Sequence, residues 1–226
     1  MYSQLLRQHM GPVSSTMLDF GHTFCINGLF QFEMTLLVDA LRTKRGTRFA
    51  ELKLFAETWH SPQCHGQVAG KVFTAAREKR TDFSCGSAEC LQLYPIIREY
   101  LQTRVADADL EDELRSYMSL CSILDGWKRL QACEVRSAAF DYGEWQAAIV
   151  DHHAFFVAAY GREEVKPKHH YALHFPALLR RFTHLQAAFV GERRLKLYKE
   201  EARSVTVSFG FEKAVILLQK NLTVTR

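Results

Sequence analysis

Apolar residues recur along most of this chain at intervals of three and four, the spacing that lines one face of an α-helix. In "MLDFGHTFCINGLFQFEMTLLVDALRTKRG", Leu29, Phe30, Met34, Leu37, Val38 and Leu41 fall on one such face. The pattern predicts a short extended piece, then a helix that opens near Asn27 and closes at Gly46, where Lys44 and Arg45 suit the negative end of its dipole. "RFAELKLFAETWHSP" continues helical and stops at Pro62, after which Gly66, Gly70 and the mixed stretch up to Cys85 read as loop with a short helix. The next helix is expected to begin with Ser87 as N-cap and Glu89 in its first turn, and to kink at Pro95.

Two longer periodic segments follow, 108–135 and 137–161, the second ended by Gly161. Beyond Lys166 the pattern gives a helix with Pro176 inside it or at a break. Another helix follows around "GERRLKLYKEEA", then a candidate strand in "SVTVSF" and a last helix in "EKAVILLQKNL". The expected fold is mainly α, with one or two short strands. No period of about 20 to 50 residues recurs and no Gly/Ser-rich or Pro-rich linker interrupts the chain, so residues 1–226 are read as a single domain.

Composition adds two constraints. An apolar fraction of 47% supports a packed core, and 29 basic against 25 acidic residues leave a net charge of +4, too small to argue for a polyanionic partner by itself. Six widely spaced cysteines and the absence of a signal-peptide pattern suggest an intracellular protein with reduced thiols. No apolar run reaches the roughly 20 residues of a membrane span, so no membrane association is expected.

Chemistry-bearing residues concentrate in "KPKHHYALHFP", which holds Lys166, Lys168, His169, His170 and His174. On a helix His170 and His174 share a face and would together reach one metal ion, while His169 points elsewhere. The alternatives are a partly exposed structural group or a face turned towards DNA. His60, Cys64, Cys85 and Cys90 form a second candidate set for tetrahedral zinc, without the tight C-x2-C spacing that marks such sites; buried cysteines acting as small hydrophobes are the competing reading. Nucleophile-elbow and phosphate-loop patterns are missing. In "GERRLKLYKEEAR", Arg193, Arg194, Lys196, Lys199 and Arg203 surround Glu192, as a solvated charged face or as phosphate contacts beside an acidic metal ligand.

Taken together, "LDFGHTFCINGLFQFE", "GSAECLQLYPIIREYL" and "KPKHHYALHFPALLRRF" with the following "FVGERRLKLYKEEAR" resemble the C-terminal part of the catalytic domain of eukaryotic CACTA (En/Spm-like) transposases. The resemblance implies an RNase H-like fold whose three carboxylates hold two Mg²⁺ or Mn²⁺ ions, with a helical insertion ahead of the last acid. Residues 26–165 would be that insertion and 166–226 the region carrying the final acid. By resemblance, Asp19 and His22 match an Asp-x-x-His signature just past the second catalytic Asp. Glu192 matches the last catalytic Glu and would hold a divalent ion.

Lys166, Pro167, Lys168, His169 and His174 match the basic block that approaches the active site. With His170, Arg193, Arg194 and Lys196 they would lie along DNA, and the resemblance alone implies a nuclear location. Two-metal phosphodiester chemistry needs several carboxylates. The strands bearing the family's first two acids would precede Met1, so the expectation is a catalytically incomplete, transposon-derived chain with non-specific DNA binding. Two alternatives stay open: a helical interaction scaffold, and a helical domain stabilised by zinc on His60, Cys64, Cys85 and Cys90.

Overall fold

The computed structural model describes residues 18–59, 71–105, 108–132 and 140–182. The chain divides into two units, Met1–Gln186 and Ala187–Arg226, and all described residues lie in the first. Those residues are mainly helical and form no strand. The extended piece expected before the first helix is replaced by a π-helical turn, Gly21–Cys25. Asp19 explains it: its carboxylate accepts from the backbone N–H of Gly21 (3.1 Å) and of His22 (3.3 Å), so the chain coils at once.

Helix α1 (Leu29–Arg45) ends as its sequence predicts, with Gly46 in the left-handed region at φ 70°. The Gly46 N–H reaches the Arg42 carbonyl (2.9 Å) and the Thr47 N–H the Leu41 carbonyl (3.3 Å), which closes the helix with its last acceptors satisfied. Its start is tight. A Cβ on Gly28 would sit 2.5 Å from the Thr23 carbonyl oxygen, so only glycine lets α1 leave the π-helical turn at this angle.

Helix α2 is Phe49–Glu57 and α3 is the single turn Ala75–Glu78, capped by the Thr74 hydroxyl. Helix α4 (Ser87–Arg104) runs through Pro95 without interruption. Its N-cap is Gly86 rather than Ser87: the Glu89 carboxylate turns back to accept the Gly86 N–H at 2.7 Å, which shifts the cap one residue upstream. Helix α5 (Glu111–Ala132) opens on three acids, Glu111, Asp112 and Glu113, at its positive end. Helix α6 (Tyr142–Tyr160) is capped by Asp141, which accepts from the N–H groups of Gly143 and Glu144, and ends at Gly161.

The predicted helix after Lys166 is two helices, α7 (Pro167–Ala172) and α8 (Phe175–Phe182). They part at Leu173–His174, ahead of Pro176 rather than on it, consistent with the bias that a proline places on the residues before it. The helix, strand and terminal helix expected beyond residue 190 lie outside the described residues, as does Pro62.

The core is continuous and rich in aromatic rings. Phe20 from the segment before the π-helical turn stacks on Trp127 of α5 at 4.6 Å and meets Phe175 of α8 edge-on at 5.9 Å, so one ring joins three distant parts of the chain. Cys25, Cys85, Cys90 and Cys121 are free, buried thiols that pack as small hydrophobes. By length and composition the segment Gly21–Arg45 is apolar enough to cross a membrane, contrary to the expectation above; more than half of its most apolar 18-residue window is buried inside the fold.

Helices α5 and α6 make the most extensive helix contact, and Gly126 permits it. A Cβ there would fall 2.5 Å from Trp145 Cδ1, while the indole Nε1 donates to the Ile123 carbonyl at 3.0 Å. Gly126→Ala should therefore lower stability in urea denaturation by about 1–2 kcal/mol, the overpacking cost outweighing the roughly 1 kcal/mol gain in helix propensity.

Candidate functional site

Four helices each send a polar side chain to one buried point. Glu33 of α1 is fully buried although its neighbours on that helix face, Leu29, Phe30, Met34 and Leu37, are apolar. Opposite it stands His152 of α6, with Nε2 3.6 Å from Glu33 Oε2. Ser116 and Ser119 of α5 border the pair, and His169 of α7 lies parallel to His152 at a ring distance of 6.2 Å. Neither Glu33 oxygen, nor His152 Nε2, nor His169 Nε2 has a hydrogen-bond partner of normal geometry among the described residues.

Burial fixes the charge states. Removal from water pushes the Glu33 carboxyl up to about 8, with the Ser116 hydroxyl pulling weakly the other way. Removal from water, reinforced by His169, brings His152 down to about 3, and burial brings His169 down to about 4. Near neutral pH all three groups are therefore uncharged. The tautomer of His152 follows: Ser119 Oγ donates to the Ser116 carbonyl (2.6 Å), so it accepts from His152 Nδ1–H (3.1 Å), and Nε2 presents its lone pair towards the protonated Glu33.

On the outer side of α7 lie the residues singled out by sequence. Lys168 Nζ donates to the carbonyls of His22 (2.6 Å), Ile26 (3.3 Å) and Asn27, which engages all three ammonium hydrogens at the end of the π-helical turn. Burial lowers its pKa from the usual lysine value, with Asp19 acting in the opposite direction. The His22 imidazole pairs with the Asp19 carboxylate. Lys166 faces Glu164 at 3.4 Å. His170 and His174 are exposed and touch each other, Nε2 to Nε2, at 3.1 Å.

The fold thus brings Asp19, His22 and Lys168 together across 146 residues. It turns His169 inward, away from the DNA-facing position expected of it, and commits the Lys168 ammonium to backbone. Of the second zinc set, Cys85 and Cys90 are described and buried; burial pushes the Cys85 thiol up to about 12 and the Cys90 thiol well above its ordinary value. No group of three or more His, Cys, Asp or Glu side chains suited to a metal ion occurs among the described residues. His60, Cys64, Glu192, Arg193, Arg194, Lys196, Lys199 and Arg203 lie outside them.

A surface pocket of about 280 Å³ between α1, α2 and α3 is lined by Asp39, Arg42, Phe49, Arg77, Glu78 and Phe83. Its polar groups serve the fold: Arg42 pairs with Asp39, Arg77 holds the Ser84 carbonyl and Glu78 accepts the Phe49 N–H. Comparison with protein-family models, with curated proteins and with solved structures gives no match to this chain.

The buried cluster makes stability depend on pH with a definite sign. Between 4.5 and about 8 the folded chain keeps a proton on Glu33 that the unfolded chain has lost, so stability falls as pH rises through this range. Below 6.5 the unfolded chain protonates the equivalents of His152 and His169 while the folded chain does not, so stability rises with pH there and outweighs Glu33 two protons to one. For these three groups the maximum lies near pH 6.5. Chemical denaturation should show a loss of about 1 kcal/mol from pH 6.5 to 8, and Glu33→Gln should remove that fall. Lys168→Met, which strands three carbonyls, should cost about 1–2 kcal/mol at every pH in the same assay.

Proposed function

We propose that this chain is a transposon-derived domain, descended from the C-terminal part of a CACTA-type transposase catalytic domain, that binds DNA without sequence preference and does not cut it. The observation that carries the reading is the bond from Lys168 to the His22 carbonyl, because it joins two blocks of the resemblance, "DFGH" and "KPKHH", at one place in the fold. Asp19 accepts the N–H groups of Gly21 and His22 and pairs with the His22 imidazole, so its carboxylate serves this turn of the fold. DNA contact would fall to Lys166, His170 and His174 with Arg193, Arg194 and Lys196, and a nuclear location and Mg²⁺ or Mn²⁺ use follow only from the resemblance.

A helical scaffold without nucleic acid is the second reading. It draws on the same block: Lys168 is occupied by backbone and His169 is buried, so the two central residues of "KPKHH" build the fold.

Binding of short duplex DNA across a salt series, with Mn²⁺ present and nicking scored in the same samples, separates the readings. The expected result is salt-dependent binding without nicking. Charge removal at Lys166, Arg193 or Arg194 should each lower the log–log salt slope by about 1 if that residue meets a phosphate. Absence of binding at low salt would overturn the DNA reading and favour the scaffold, and nicking abolished by Glu192→Gln would overturn the loss of catalysis.

A further inference from the structure

The His170 and His174 rings stand almost perpendicular, at 84°, with centroids 4.7 Å apart and both Nε2 atoms facing one another at 3.1 Å. His170 lies in the last turn of α7 and His174 in the link to α8, and both are exposed. Two imidazoles bound to one ion at metal–nitrogen distances of about 2.0–2.1 Å and separated as here would subtend an angle of roughly 98° at that ion, between square or octahedral neighbours at about 90° and tetrahedral ones at about 109°. The separation of the two Nε2 atoms thus matches that of two nitrogens on one cation.

We propose that His170 and His174 form a two-imidazole clamp for a borderline divalent cation of the Cu²⁺, Ni²⁺ or Zn²⁺ class. Imidazole nitrogen selects these ions over Mg²⁺ or Ca²⁺, which prefer oxygen. Without metal, the same separation lets one neutral ring donate Nε2–H to the other; on binding, that ring carries its proton on Nδ1 and both Nε2 lone pairs face the ion. No third donor converges on the pair among the described residues, so the ion keeps open positions for water or for a donor from a bound molecule. The clamp requires neither phosphate nor Glu192, so it does not rest on the DNA reading, which assigns His170 and His174 a second role.

Cu²⁺ titration of the full chain, followed by electron paramagnetic resonance and by calorimetry, tests the proposal. The wild type should take up one equivalent with hyperfine splitting from two imidazole nitrogens. His170→Asn and His174→Asn should each remove one of those nitrogens and weaken binding by about tenfold or more, with the far-UV circular dichroism unchanged. Equal Cu²⁺ affinity in the wild type and both variants, or no uptake by the wild type, would overturn it.

Discussion

Burial of the Glu33 carboxyl beside the His152 imidazole holds only while both groups are neutral, and the four helices that meet there must keep their spacing for that neutrality to last. An ionised carboxylate without a counter-charge in such a site would cost several kcal/mol, so the proton on Glu33 is as much a part of the packing as the methyl groups around it. Ser119 sets the orientation of His152, and the ring of Phe156 lies 4.3 Å from His169. Helices α1, α5, α6 and α7 are therefore registered against one another by polar groups at the centre, with the aromatic contacts of Phe20, Trp127 and Phe175 closing the side nearer the π-helical turn.

Helix α7 is where this interior meets the surface. In only six residues it sends His169 inward to the buried cluster, Lys168 sideways to the carbonyls of the π-helical turn and His170 outward to His174. A block that looks uniformly basic in sequence is thus divided into three environments by helical geometry, in which successive residues point in different directions. Basic character along a stretch of chain says little about how much of it can reach an anion.

Much of the architecture was legible in advance. The closure of α1 at Gly46, the long α5 and α6, and the end of α6 at Gly161 follow from periodicity and glycine alone. The π-helical turn was not legible, because Asp19 caps locally in a way that competes with extended structure and leaves no periodic trace. The buried cluster was half legible: Glu33 interrupts an otherwise apolar helix face, which signals a buried polar group, yet nothing in the sequence pairs it with His152 more than a hundred residues later. The same holds for Lys168, whose three carbonyl partners come from a turn at the other end of the described chain.

The Glu33–His152 pair also constrains how this sequence can drift. Losing either member alone leaves a buried polar group facing an apolar surface, whereas replacing both by well-packed apolar residues can be nearly neutral. The two positions are therefore epistatic: each single step runs downhill in stability, and the route to an all-apolar centre passes through a less stable intermediate. A lineage would keep this acid and this imidazole together whatever is selected elsewhere in the chain, simply because the path away from them begins with a loss.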